Sequence, residues 1–333
     1  MGEEIKGQLI SAVTPKSYEF NGMTTIPKII LFEDGCLNFL PEEEYQIGVY
    51  FDTFGCASFS FNNCLEIDGL RRIDLKLYND ENIKWLKENM MVNGKLNFSD
   101  RDLVVLSGTD PQWGNDTWSI FEFARKNGLV CESDAPWDFR NRDPKVNTKE
   151  NYYNYKREEL NKKKATELLK RFEIKGEWVM RENWLEASKY GVIQVYTRAW
   201  FERNGKYYNP TPNTSGHGIT MVKKSEEKIF DQYPPFVKQM ERDEDFYPYG
   251  FKLSLIEKIM EKPIIKNNTL IQLVSGNGGF GLYLDGKIFV DDLAKIIASW
   301  LVRTKGNTSG MSMALEQAQW DLFPKFNLKM ESL

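Results

Sequence analysis

"VYFDTFGCASFSFNNCLEI", residues 49–67, sets a single cysteine, Cys56, between a loop ending at Gly55 and a segment of helical character. Proline is absent from Cys56 to Leu70 and glycine does not appear until Gly69, while Phe59, Phe61, Cys64, Leu65 and Ile67 spread around the axis. That pattern predicts a mostly buried helix. A lone cysteine is most often a small buried residue. A cysteine that opens a helix has a second character, because the positive end of the helix macrodipole favours the thiolate. The remainder of the chain has to say which of the two applies.

The most informative total is the histidine count, which is one, so any chemistry that needs an imidazole must run through His217. The four cysteines, Cys36, Cys56, Cys64 and Cys131, form no CxxC pair. Neither a disulfide framework nor a zinc site is expected from them, and no cofactor or metal is expected at all. The formal net charge of −4 gives no basic excess that would point to nucleic acid. No apolar run approaches the ~18 residues of a membrane span. The opening "MGEEIKGQLIS" is acidic and has no apolar core, so no signal peptide is expected. Met1-Gly2 is followed at position six by Lys6, which breaks the myristoylation pattern. These features predict a cytoplasmic protein. With 333 residues the chain is long enough for two domains, or one with a large extension.

Along the chain, "GQLISAV" and "TTIPKIILFEDG" read as short strands and turns. "NFSDRDLVVLSG" reads as a helix capped by Ser99, and "TWSIFEFARKNG" as an amphipathic helix stopped by Gly128. From Asp138 to about Lys170 both charge signs mix densely, which predicts an exposed linker followed by a solvated helix. The texture then changes. "WLEASKYG" is a short helix, "VIQVYTRAW" alternates as a strand, and "RNGKYY" carries an Asn-Gly hairpin signal. "HGITMVKK" and "KIFDQY" are two further strands joined by "SEE". "SGNGGFG" is a glycine-rich turn with no helix directly after it, which excludes a nucleotide-binding loop. A hairpin over "LYLDGKIFV" and an amphipathic helix over Asp291–Thr304 are expected to follow.

The two strands headed by His217 and closed by Asp231, fourteen residues later, form an antiparallel pair whose far ends meet. Cysteine, histidine and a polar orienting residue are the parts of thiol catalysis. At these residues the sequence resembles the papain-like cysteine peptidases. Cys56-Ala57-Ser58-Phe59-Ser60 stands where that family has C-W-A-F-S, and Glu66 follows ten residues after the cysteine. Phe98-Ser99, Leu103-Val104, Gly114-Asn115 and Ala135-Pro136-Trp137 follow in the family's order. His217-Gly218-Ile219 and Asp231-Gln232-Tyr233 take the places of its histidine and Asn-Ser-Trp segments. The resemblance covers roughly residues 40 to 240. It implies Cys56 as nucleophile, His217 as base and acid, and Asp231 as orienting residue in place of asparagine. The oxyanion would be held by the Cys56 backbone N–H and an upstream side chain. The family's glutamine lies six residues before the cysteine, where this chain has Tyr50; the nearest glutamine is Gln46, ten residues before, which serves if "IGVYFDTFG" forms a longer loop. Ala57 and Tyr233 replace two of the family's tryptophans, and Thr53 stands where it has a disulfide cysteine.

The resemblance implies an α+β, papain-like two-lobe fold, a helical lobe and a β-rich lobe with the active-site cleft between them, and an extra C-terminal α/β extension. The expected segments are N-terminal strands over 1–45, the helical lobe over 46–137, the charged linker and helix over 138–172, the β-rich lobe over 173–255 and the extension over 256–333. The implied activity is hydrolysis of peptide bonds through a Cys56–His217–Asp231 triad and an acyl-enzyme. The implied partner is a polypeptide substrate, with neither nucleic acid nor membrane. Two other classes stay open: a peptidoglycan-directed Cys–His amidase or endopeptidase, and a catalytically degenerate fold with a structural, virion-associated role whose assembly partner binds the C-terminal extension.

Overall fold

The computed structural model describes residues 29–198, 201–204, 206–208, 216–241, 246–258, 269–275, 278–284 and 328–332. The chain divides into two compact units, Met1–Lys258 and Ile259–Leu333.

The first unit opens with helices and closes with a sheet. Its long helix α1 runs from Cys56 to Asp74, followed by α2 (Asp80–Asn89), a minimal hairpin β1 (Met91–Val92) and β2 (Lys95–Leu96), α3 (Asp100–Leu106) and α4 (Thr117–Asn127). Side-chain caps start α2, α3 and α4. Asn79 accepts the Asn82 N–H at 2.8 Å, Ser99 the Asp102 N–H at 3.2 Å and Asp116 the Ser119 N–H at 3.0 Å. Each satisfies a backbone donor that the first turn leaves open. Gly128 ends α4 at φ +68°, and a Cβ there would lie 2.3 Å from the Ala165 carbonyl oxygen, so only glycine fits.

The charged stretch after Asp138 is anchored rather than loose. It forms α5 (Lys149–Tyr153) and α6 (Glu159–Arg171). Tyr152 of α5 is fully buried among the rings of Phe51, Trp137 and Phe139, and Arg157 pairs with the buried Asp102 at 2.5 Å. Net charge alone hides these contacts, because one aromatic and one arginine in a polar run suffice to pin it. Residues 29–45, expected as strands, carry only a 3-10 turn at Leu37–Phe39. Their N–H groups bond singly, Leu31 to the Lys189 carbonyl and Cys36 to that of Val222, which is not a ladder.

The sheet has eight strands in the order β3-β10-β4-β7-β8-β9-β6-β5. They are β3 (Phe172–Met180), β4 (Val192–Thr197), β5 (Phe201–Arg203), β6 (Lys206–Tyr208), β7 (His217–Lys223), β8 (Lys228–Phe230), β9 (Val237–Met240) and β10 (Tyr249–Glu257). A short helix, α7 (Trp184–Ala187), lies between β3 and β4. All neighbours are antiparallel except β6 and β9. The central strands are buried on both faces, and their alternation divides the core. Val192 and Tyr196 join Phe61, Cys64 and Leu65 of α1 in one cluster. Ile193 and Val195, with Ile219 and Met221, join Trp184 and Ala187 of α7 in another. The period-2 side-chain alternation of a strand produces this division. Helix α1 packs on β4, β7 and β10, which brings its first turn to the head of β7.

In the second unit β11 (Thr269–Ser275), β12 (Gly278–Leu284) and β13 (Leu328–Ser332) form an antiparallel sheet with β12 in the centre. The turn expected after Leu284 and the helix expected over 291–304 lie outside the described residues. Among the described residues no helix is long and apolar enough to cross a membrane.

Candidate functional site

Cys56 is the first residue of α1 and is fully buried. Its thiol takes a hydrogen bond from the Gly218 backbone N–H at the head of β7. His217, also fully buried, stands beside that glycine and pairs with Thr197 across β4. The β7–β8 hairpin carries the chain back so that His217 Nε2 lies 2.8 Å from Asp231 Oδ1. The structure therefore gathers Cys56, His217 and Asp231 where α1 meets the sheet. Because Asp231 engages Nε2, exchange of a proton with a thiol falls to Nδ1 of the same ring.

The fourth predicted residue, Gln46, comes to the same place by the longer loop. Residues 46–53 fold back on themselves: the Thr53 N–H donates to the Gln46 carbonyl at 3.3 Å, and Ile47 bridges Asp52. Gln46 is fully buried, and its Nε2 donates to Asp52 Oδ1 at 2.9 Å. Its backbone N–H donates to the Gln232 carbonyl at 3.3 Å, beside Asp231.

Asp52 is a hub that the sequence did not announce. It accepts from Gln46, from the Phe54 N–H at 2.7 Å and from the Tyr233 hydroxyl at 2.5 Å. The Tyr233 ring leans against His217, with centroids 5.5 Å apart. The Asp52–Tyr233 bond thus fastens the segment before α1 to the loop after β8, next to the thiol.

Lys238 was also missed. It sits on β9 opposite Ile229 and is buried with Met240, while Val237, on the other face of the strand, is exposed. Its ammonium donates to Asp231 Oδ2 and, at 2.5 Å, to the Tyr233 carbonyl. The one signal for it in sequence is period 2, which places Lys238 on the same strand face as Met240. A further inward side chain, Gln194 of β4, donates to the Ala57 carbonyl at 2.7 Å and to Ser60 Oγ at 2.6 Å, tying the first turn of α1 to the sheet.

The electrostatics follow from enclosure. Burial pushes the Cys56 thiol up to about 12, helped by the negative charges of Asp52 and Asp231 and opposed by the Gly218 and Ala57 N–H groups. In the closed site the proton belongs on sulfur. Asp231 is held below the usual carboxylate range although burial works against it, because His217 and Lys238 both favour its charged form. Burial lowers the Lys238 ammonium and Asp231 offsets part of that. Among the described residues no group of side chains is arranged to hold a metal ion.

No family model matches the sequence. No curated protein matches it either. Several solved structures that the chain is similar to are papain-like cysteine proteases. They include xylellain, a cysteine protease from Xylella fastidiosa, at 12% identity over 76% of this chain and 96% of that one, with a TM-score of 0.47. A cysteine protease of Carica candamarcensis is 12% identical over 65% of this chain and 94% of its own, with a TM-score of 0.40. Digestive procathepsin L 3 of Tenebrio molitor is 12% identical over 78% of this chain and 70% of its own, with a TM-score of 0.37.

Proposed function

We propose that the protein is a thiol peptidase that cleaves peptide bonds through Cys56, His217 and Asp231. The support is one convergence. A helix-opening cysteine touches the backbone of the residue next to the only histidine in the chain, and that histidine is held by a buried carboxylate at 2.8 Å. A single histidine has little chance of falling there without a reason.

In the reaction His217 takes the Cys56 proton and the sulfur attacks the scissile carbonyl carbon. The carbonyl oxygen becomes an oxyanion, bound by the Cys56 backbone N–H and by Gln46. One N–H of the Gln46 amide is already given to Asp52, and the other serves the oxyanion. His217 returns the proton to the leaving amine. Water then hydrolyses the thioester with His217 as base. When substrate and water enter, the desolvation that keeps the proton on sulfur is relieved. The helix macrodipole, the Gly218 N–H and the imidazole then favour the thiolate.

The complete enclosure of Cys56 favours a second reading, a non-catalytic binding scaffold built on the same fold. One experiment separates the two. The alkylation rate of each cysteine is followed against pH by peptide mass spectrometry, in the wild type and in His217→Ala. A catalytic pair reacts selectively at Cys56 well below the free thiol value of ~8.5, and the His217→Ala change abolishes that low-pH reactivity. If Cys56 reacts no faster than Cys36, Cys64 and Cys131, the peptidase assignment falls.

A further inference from the structure

An aspartate beside a catalytic histidine creates an electrostatic problem. Its charge stabilises imidazolium, yet it also opposes the thiolate that the reaction needs. Asp231 acts on Cys56 in this opposing sense, as does Asp52. Both Asp231 and the sulfur lie out of water, where such repulsion is strong.

Lys238 answers that problem by position. Its side chain is 2% exposed, it comes from the strand that pairs with β8, and its ammonium reaches the Asp231 oxygen that His217 does not use. The second bond, to the Tyr233 carbonyl, fixes the loop on which Asp231 and Tyr233 lie. The Tyr207 ring of β6 covers the ammonium at 5.3 Å. Among the described residues, the charged or titratable groups around the unit include Cys56 from α1, Asp52 from the preceding segment, His217 from β7 and Tyr233 from the loop after β8, with Tyr207 on the β6 side.

We infer that Lys238 is a positioning residue of the active site, which neutralises Asp231 so that the aspartate orients His217 without burdening the Cys56 thiolate with its negative charge. The inference rests on the peptidase assignment above. The Asp231–Lys238 ion pair then does the work that a neutral amide would do in the same place: one oriented acceptor for His217, and no net charge.

The test is the pH profile of Cys56 alkylation and of peptide-substrate kcat/KM, read in Lys238→Met, Lys238→Gln, Lys238→Arg and the double variant Lys238→Met/Asp231→Asn. A bare buried carboxylate favours the protonated form of every neighbour. Both limbs of the profile are therefore expected to move to higher pH, by about half a unit or more, in Lys238→Met. Lys238→Gln keeps a hydrogen-bond donor and loses the charge, and should shift the same way. Lys238→Arg keeps the charge and should stay with the wild type. The double variant is neutral again and should return toward the wild-type limbs. Limbs that do not move in Lys238→Gln overturn the inference, because the hydrogen bond rather than the charge would then be what matters. That result leaves the peptidase assignment standing, since the wild type still shows selective low-pH reactivity at Cys56. A wild type without such reactivity overturns both.

Discussion

The hydroxyl of Tyr233 lies 2.5 Å from Asp52, and its ring leans on His217, so one side chain touches both the acid hub and the imidazole. In this arrangement nothing reaches the sulfur, for Cys56 has no exposed surface. Tyr233→Phe keeps the ring and removes the bond. A hydrogen bond of this kind is worth ~1 kcal/mol net, so its loss should speed iodoacetamide alkylation of Cys56 about fivefold at fixed pH. An unchanged or slower rate means that Tyr233 does not hold the site closed. Cys56, His217 and Asp231 could be singled out from the sequence because each leaves a mark in one dimension: a helix start, a unique histidine, the far end of a hairpin; Gln46 was implied only by the resemblance to the peptidase family. Asp52 and Lys238 leave none. Asp52 works through partners 6 and 181 residues away, and Lys238 looks like any strand lysine until β9 is seen to turn it inward.

Helix α1 carries Cys56, the proposed nucleophile, at one end and a buried ion pair further along. Asp68 accepts from Arg72 at 2.7 Å and from the Leu255 N–H of β10 at 2.9 Å, and both side chains are almost wholly buried. The Leu255 bond fixes the helix on the sheet, with Arg72 balancing the Asp68 charge, and so helps to fix where Cys56 meets β7. Removing one partner strands the other charge. Arg72→Met should therefore destabilise the protein by about 3 kcal/mol, measured as a fall in urea unfolding free energy at pH 7. A loss below ~1 kcal/mol would mean that water or rearrangement rescues Asp68. The ends of α3 and α4 were legible in the sequence, since Ser99 and Gly128 mark them chemically. Strands β3 and β10 were not, although their nine-residue pairing is the longest register in the sheet. Their sequences, "FEIKGEWVM" and "YGFKLSLIE", place Lys175, Glu177 and Lys252 among apolar residues. A buried Lys252–Glu177 pair across the two strands explains why, but only the partner strand makes those charges compatible with burial.

At the scale of the whole molecule the acidic groups oppose one another in a way that a net charge of −4 conceals. Glu44, Glu66 of α1, Asp100 of α3 and Glu132 meet inside the helical part of the first unit. Asn62 donates to Asp100 at 2.8 Å, Asn97 to Glu44 at 2.9 Å and the Phe98 N–H to Glu66 at 2.6 Å. Burial raises all four carboxyls; the charge of Glu44 raises Glu66, Asp100 and Glu132 further, while Glu44 itself is also raised by Glu42 and eased by its bonds to Asp100 and Asn97. The folded chain therefore keeps protons that the unfolded chain gives up near pH 4. Stability from these groups is complete below about pH 4 and is lost as pH rises through the raised folded values. Each carboxyl that stays protonated costs about 1.4 kcal/mol per pH unit across that interval. Asp231, held low, works in the opposite direction, but its contribution is lost only as pH falls through its own lowered value. The raised Cys56 thiol enters only above the free thiol range. Between pH 5 and pH 7.5 the four carboxyls dominate, and the urea midpoint should fall steadily across that range. Asp100→Asn removes one of the four while keeping an acceptor for Asn62, so it should flatten the slope and raise the midpoint at pH 7.5 more than at pH 5. A midpoint that is level or rises toward pH 7.5 in the wild type would mean that the four carboxylates ionise together in the folded protein, with a cation or water compensating their repulsion.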